Sequence, residues 1–179
     1  MPFQIAYARR PLARRDTCGR LAALGPNEFE GYASLFGVAD GVGDMVAPGA
    51  FAASLRRRGP SDVRLLYQHF SHAPIGVWEE ITEDSRGLYV RGRLVDEVEQ
   101  ARDVRALLTE GALNGLSIGF RTLRARRAPG GGRLLQEIEL WEISVVTFPL
   151  LAGSTVTAIG AQDNDLARVF RQAGAAMRA

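Results

Sequence analysis

The chain has 179 residues, 46% of them hydrophobic and 23% charged, which suits one soluble domain with a core of useful size and excludes a collagen-like, disulfide-rich or wholly disordered protein. All of its 22 basic residues are arginine, but 20 acidic residues leave a net charge of only +2. The arginine clusters are short and carry no interleaved aromatic rings, so solvated faces account for them better than a nucleic-acid surface.

Residues 1–28 read as a basic leader broken by Pro11, Gly25 and Pro26, with one short strand expected over Phe3 to Ala8. Cys18, the single cysteine, lies in this leader and rules out an internal disulfide or a cysteine metal cluster. Neither a secretory signal nor a run of ~20 apolar residues able to span a bilayer is expected. Phe29 to Val38 then alternates loosely and is rich in aromatics, which predicts a strand. Asp40 to Gly49 is a glycine-rich loop. Ala50 to Arg57 predicts a short helix, with Phe51, Ser54 and Leu55 along one side and Gly59-Pro60 ending it.

Val63 to His69, Ile75 to Thr82 and Leu88 to Val95 predict three more strands, the last two joined as a hairpin by E-D-S-R-G. Glu97 to Thr109 carries Val98, Ala101, Val104 and Leu108 at helical spacing, and Gly111 stands where a C-terminal cap belongs. Leu116 to Leu123 and Leu134 to Phe148 complete the main strand set, and Thr155 to Ile159 adds a short one. Asp163 to Ala176 predicts a terminal amphipathic helix. Six or seven strands joined mostly by hairpin turns, with few helices, argue for a mainly β fold with flanking helices (α+β), built as an antiparallel barrel or sandwich.

Three segments carry candidate chemistry. The chain has two histidines, His69 at a strand end and His72 in the loop after it, so the choice of an imidazole base is narrow. In N-G-L-S-I-G-F, residues 114–120, strand alternation puts Ser117 on one face between Gly115 and Gly119. That arrangement exposes a hydroxyl and allows close backbone approach; a tight packing site explains it equally well. In W-E-I-S-V-V-T-F, residues 141–148, Trp141, Ile143 and Val145 share one face, and Glu142 and Ser144 share the other. A carboxylate in so apolar a strand needs a partner, either an imidazole or one of the many arginines.

In chain order, the stretches G-Y-A-S-L-F-G-V-A-D, V-A-P-G-A-F-A-A-S-L, L-L-Y-Q-H with P-I-G-V-W, G-L-Y-V-R-G-R-L, G-A-L-N-G-L-S-I-G-F and L-W-E-I-S-V-V-T-F-P cover residues 31 to about 150. Together they resemble the prohead proteases, the capsid maturation proteases of tailed phages and of phage-derived gene transfer agents. The resemblance implies a closed antiparallel barrel like that of the herpesvirus assemblins over residues 29–160, followed by the helical segment 161–179. It also implies a serine endopeptidase with Ser117 as nucleophile and His69 as general base. Glu142 is our choice of third member, with His72 its rival. No metal or organic cofactor is implied. The implied substrate is the scaffolding segment of the major capsid protein, cut in a prohead assembling in a bacterial cytoplasm. Self-cleavage and self-association are implied as well, with no nucleic-acid or membrane partner. Two alternatives are a catalytically silent, scaffold-binding assembly module on the same fold and a small-molecule serine hydrolase.

Overall fold

A computed structural model describes residues 24–128 and 131–161. The strand expected over Phe3 to Ala8, Cys18 and the helix expected over Asp163 to Ala176 lie outside the described residues. The elements are β1 (Glu28–Leu35), β2 (Met45–Val46), α1 (Ala52–Arg58), β3 (Arg64–Tyr67), β4 (Pro74–Glu83), β5 (Gly87–Leu94), α2 (Glu99–Glu110), β6 (Gly115–Arg127), β7 (Arg133–Val146) and β8 (Val156–Ile159).

All eight strands belong to one sheet, ordered β2-β7-β3-β4-β5-β1-β8, with β6 also paired to β7. The mainly β architecture with few helices is therefore the one the residue pattern predicts. The strand ladder does not close into a barrel: β6 meets the residue leading into β8 at one isolated bridge, Gly115 to Thr155. Hydrogen bonds from the Leu116 amide to the Ser154 carbonyl (2.9 Å) and from the Val156 amide to the Asn114 carbonyl (2.8 Å) flank it.

The sheet also departs from the all-antiparallel expectation. β2 and β3 both pair with β7 in parallel, the latter with Leu65 opposite Ile143 and Tyr67 opposite Val145. A parallel partner requires a long crossover, here the whole stretch from β4 to β6, and no local turn signal announces such a pairing. β2 itself is two residues lying inside the stretch expected to be loop.

β7 is held along both edges. β6 runs antiparallel along one. On the other, β2 covers the start and β3 the end. Between them the polypeptide around α1 takes the place of a strand: the Ile138 amide donates to the Ala50 carbonyl at 3.1 Å, and the Leu140 amide donates to the buried Ser54 hydroxyl at 3.0 Å. Backbone groups of a buried strand need such partners, because an unpaired one loses its water without compensation.

The core lies beneath this sheet and the two helices. Phe29, Phe51, Leu65, Ile75, Leu88, Leu116, Leu140 and Ile143 are fully buried, each contributing about 1.5–3 kcal/mol of burial. Phe29 and Trp78 meet edge to face at 5.6 Å. α2 buries Ala101, Val104 and Leu108, the i, i+3, i+7 stripe, and ends at Gly111 in the left-handed conformation (φ 72°). Near the glycine-rich turn, Asp44 is gripped by Arg133 at the start of β7. The hydrogen bond and charge of Arg133 outweigh the cost of burial and hold the Asp44 carboxyl below its ordinary value of 3.8.

Two outcomes are expected. Ser54→Ala leaves the Leu140 amide buried without a partner and lowers stability by about 1–3 kcal/mol in urea denaturation. Because the folded-state pKa of Asp44 is depressed, its contribution is present above pH 3.8 and lost as pH falls through the depressed value. The melting-temperature advantage of the wild type over Asp44→Asn should therefore shrink on acidification below about pH 4.

Candidate active site

The site is built across three adjacent strands, with β7 in the middle. Its side chains Glu142 and Ser144 stand two residues apart on one face. In the β6–β7 register Ser117 lies opposite Ser144, and Gly119 opposite Glu142, so the same face of β6 carries the serine. On the far edge, Leu66 and Tyr67 of β3 lie beside Ser144 and Val145.

A bulge shapes this part of β7. Gly119 pairs with Glu142 and Phe120 with Leu140, leaving Trp141 without a partner. Trp141 is exposed and Leu140 is buried, so Trp141 does not share the core face with Ile143 and Val145 as simple alternation predicts. The extra residue shifts the alternation by one, a common device for re-aiming side chains beside a site.

His69 does not sit on a strand. β3 ends at Tyr67, and the chain then turns through Gln68 (φ 53°) and His69 (φ 62°), both in the left-handed region. Two successive non-glycine residues there cost about 1–2 kcal/mol each. The turn is held by the Gln68 amide donating to the Val145 carbonyl (3.0 Å) and the His69 amide donating to the Ser144 hydroxyl (3.0 Å). The Gln68 side-chain amide donates to Thr147 Oγ1 at 2.6 Å. This conformation swings the imidazole back over β7, where it reaches both Glu142 and Ser117.

His69 Nδ1 lies 2.7 Å from Glu142 Oε1, and Nε2 lies 2.9 Å from Ser117 Oγ. An ionised carboxylate only accepts hydrogen bonds, so the network assigns the imidazole proton to Nδ1 and leaves Nε2 as the acceptor for the serine hydroxyl. The other carboxylate oxygen, Oε2, accepts from Ser144 Oγ at 2.7 Å. Ser144, with 0% exposure, thus accepts from the His69 backbone and donates to Glu142, closing a loop of hydrogen bonds around the imidazole. The Glu142 side chain is 14% exposed and that of His69 45%, an acid set deep beneath an accessible ring.

Gly119 makes room for the acid. A Cβ there would sit 2.0 Å from Glu142 Oε1. The close approach expected beside Ser117 is thus made at Gly119 by a carboxylate. At Gly115 it is made by backbone, a Cβ there falling 2.5 Å from the Val146 carbonyl oxygen.

Ser117, His69 and Glu142 are therefore brought together. His72 is not: its ring stacks on Phe70 at 5.4 Å in the loop beyond. Glu142 pairs with an imidazole, and no arginine among the described residues forms an ion pair with it. Ser144 is the member that sequence reasoning missed. Its place beside Glu142 is legible from alternation, but its bond to His69 exists only because β3 lies next to β7. A hydroxyl, a ring nitrogen free to accept its proton and a carboxylate orienting that ring form the arrangement in which a serine oxygen becomes a nucleophile. Among the described residues, no group of three or more His, Cys, Asp or Glu is placed to hold a metal ion.

Comparison with known proteins adds the following. A family model described as Caudovirus prohead serine protease matches residues 20–168. The prohead protease of Enterobacteria phage HK97 is 36% identical over 138 residues, covering 75% of this chain and 61% of that protein. The capsid polyprotein of Pseudomonas phage PAJU2 is 31% identical over 111 residues, 58% of this chain and 16% of that protein. The chain thus spans about three fifths of the first of these relatives and a small part of the second. Among solved structures, the bacteriophage T4 capsid assembly protease superposes with a TM-score of 0.57 at 12% identity, over 68% of this chain and 82% of that one. The KSHV protease bound to a hexapeptide phosphonate inhibitor gives 0.51 at 11% identity, over 83% and 76%. Both likenesses concern the fold.

The steric role of Gly119 has a direct readout. In the wild type, NMR of the histidine nitrogens should show protonated Nδ1 and unprotonated Nε2 on His69, with the Nδ1 proton shifted far downfield by the carboxylate. Gly119→Ala should abolish that downfield signal by displacing Glu142. Its persistence would mean that the carboxylate does not need the space.

Proposed function

The chain belongs to the caudovirus prohead serine protease family, and on that footing we propose that it is a serine endopeptidase that cuts the major capsid protein during prohead maturation. One observation carries the reading to these residues: the hydrogen-bonded series Ser117–His69–Glu142 laid across β6, the β3 turn and β7. Ser117 attacks the scissile carbonyl while His69 Nε2 takes its proton. Glu142 keeps the ring in the tautomer that can do so and stabilises the imidazolium that forms, without taking the proton itself. The imidazolium then protonates the leaving amine, and water, activated by the same nitrogen, hydrolyses the acyl-enzyme. Ser144 and the left-handed turn hold the ring in place throughout.

Family and relatives together support the choice of target. One relative is named a prohead protease, and a segment of another, named a capsid polyprotein, is similar to this chain. The substrate we assign is the scaffolding segment of the major capsid protein, removed within an assembling prohead in the bacterial cytoplasm, with cleavage of the protease itself as a second event.

Co-expression with the capsid protein of the same particle tests the reading. Wild-type enzyme should shorten the capsid protein from its N-terminal side by intact mass, and Ser117→Ala should leave it full length. Shortening by Ser117→Ala would remove the nucleophile assignment, and a capsid protein never shortened by the wild type would favour a silent assembly module. With a peptide substrate, Glu142→Gln should lower kcat by about 10²–10⁴-fold with little change in KM. Ser144→Ala should lower kcat about tenfold in the same manner, since it loosens the ring without touching substrate.

A further inference from the structure

A cleft opens beside Ser117, lined by Val38, Val46, Ile118, Leu150, Ser154 and Asp40. Its walls are mostly aliphatic. Ser154 also lines it: the residue is 1% exposed, and no described residue hydrogen-bonds its buried hydroxyl. Buried hydroxyls in folded proteins rarely go unmet, and one held ready in a substrate site discriminates strongly for a partner that meets it. The segment that carries it is rigid, since the Ser154 carbonyl accepts from the Leu116 amide and the Ser154 amide donates to the Leu151 carbonyl, both at 2.9 Å. The Ser154 backbone is thus tied to the residue preceding Ser117.

Two further features bear on what enters. Val38 and Leu150, which line the cleft, are exposed, as are Val42 and Phe148 in the same two chain segments. The Gly41 amide donates to the Leu150 carbonyl at 2.9 Å, joining the two segments that form this rim. The lining also carries negative charge. Asp40 and Asp44 both line the cleft and share one cation, Arg133, which is bonded to Asp44 and attracted by Asp40; the Asp40 carboxylate itself accepts backbone amides from Val42 and Asp44.

We propose that this cleft is the specificity subsite for the residue whose carbonyl Ser117 attacks, taking a non-acidic side chain with an aliphatic body whose polar end meets the Ser154 hydroxyl. The proposal rests on the reading of Ser117 as nucleophile. The aliphatic walls pack the body, Ser154 meets the tip, and Asp40 turns away a carboxylate.

The test uses dipeptidyl diphenyl phosphonates, which phosphonylate an activated serine: a serine O–P bond forms and phenol leaves with the serine proton. Four probes differ only in the side chain next to phosphorus, that of Gly, Leu, Gln or Glu, and labelling of Ser117 is followed by intact mass and peptide mapping. Gln should label about tenfold or more faster than Gly and Glu, with Leu between. Val38→Trp, at the exposed mouth, should bring the Gln-to-Gly ratio close to one. Ser154→Ala should lower the Gln-to-Leu ratio several-fold while the melting temperature holds or rises, because no internal hydrogen bond is lost. Equal labelling across the four probes, or ratios unmoved in both variants, would overturn the subsite while leaving Ser117 as nucleophile. If none of the probes labels the wild type, the nucleophile reading falls and the subsite with it.

Discussion

The pairing of β7 along both of its edges is the constraint on which the rest of the structure depends. Adjacent strands lie about 4.7–4.9 Å apart, so side chains on one face of three neighbouring strands fall within reach of one another. Glu142 and Ser144 occupy the middle strand, Ser117 comes from β6 on one side, and His69 from the end of β3 on the other. Remove either pairing and one member of the hydrogen-bonded series loses its fixed position. The remaining stretch of that edge, where no strand is available, is taken by the backbone around α1 and by the Ser54 hydroxyl, so β7 has little freedom to slide.

Holding an imidazole over this strand is costly in two ways. Gln68 and His69 adopt backbone conformations that L-residues avoid, and Glu142 is largely removed from water. Both costs are met locally. The two strained residues donate backbone hydrogen bonds to β7, and each carboxylate oxygen has its own donor, His69 for one and Ser144 for the other. Strain of this sort persists where the surroundings over-determine it, and it keeps the ring in one orientation before any ligand arrives. Ser144 belongs to both compensations, which is why a small hydroxyl with no access to solvent matters to the ring above it.

The glycines of the 114–120 segment acquire their meaning from the same strand. Gly119 leaves the space that the Glu142 carboxylate fills, and the bulge at Trp141 sets that carboxylate in register opposite it. Gly115 and Leu116 tie β6 to the 154–156 segment, which brings Ser154 to the cleft that Ser117 also lines. One short strand segment therefore carries the Ser117 hydroxyl, the seat of the Glu142 carboxylate and the edge of the neighbouring cleft.

Strand and helix positions were written largely in local pattern. Alternation located β1 and β3 to β8, and the i, i+3, i+7 stripe with Gly111 located α2, because burial on one face of an element leaves a periodic trace in sequence. The candidate residues were legible too: a serine between glycines, two histidines, and one carboxylate in an apolar strand. The partnerships were not. The sequence alone could not separate His69 from His72 by geometry, assign Glu142 to an imidazole over an arginine, or reveal Ser144, the parallel β3–β7 pairing, or a strand ladder whose ends meet at one bridge. The hydrogen bonds of His69 to Ser117, Glu142 and Ser144 alone join residues 48 to 75 positions apart. Their existence depends on which strands become neighbours after the chain has crossed over itself, and local periodicity carries no record of that. Ser117 was a candidate by its own residue chemistry; tertiary structure decided that His69 and Glu142 would stand beside it.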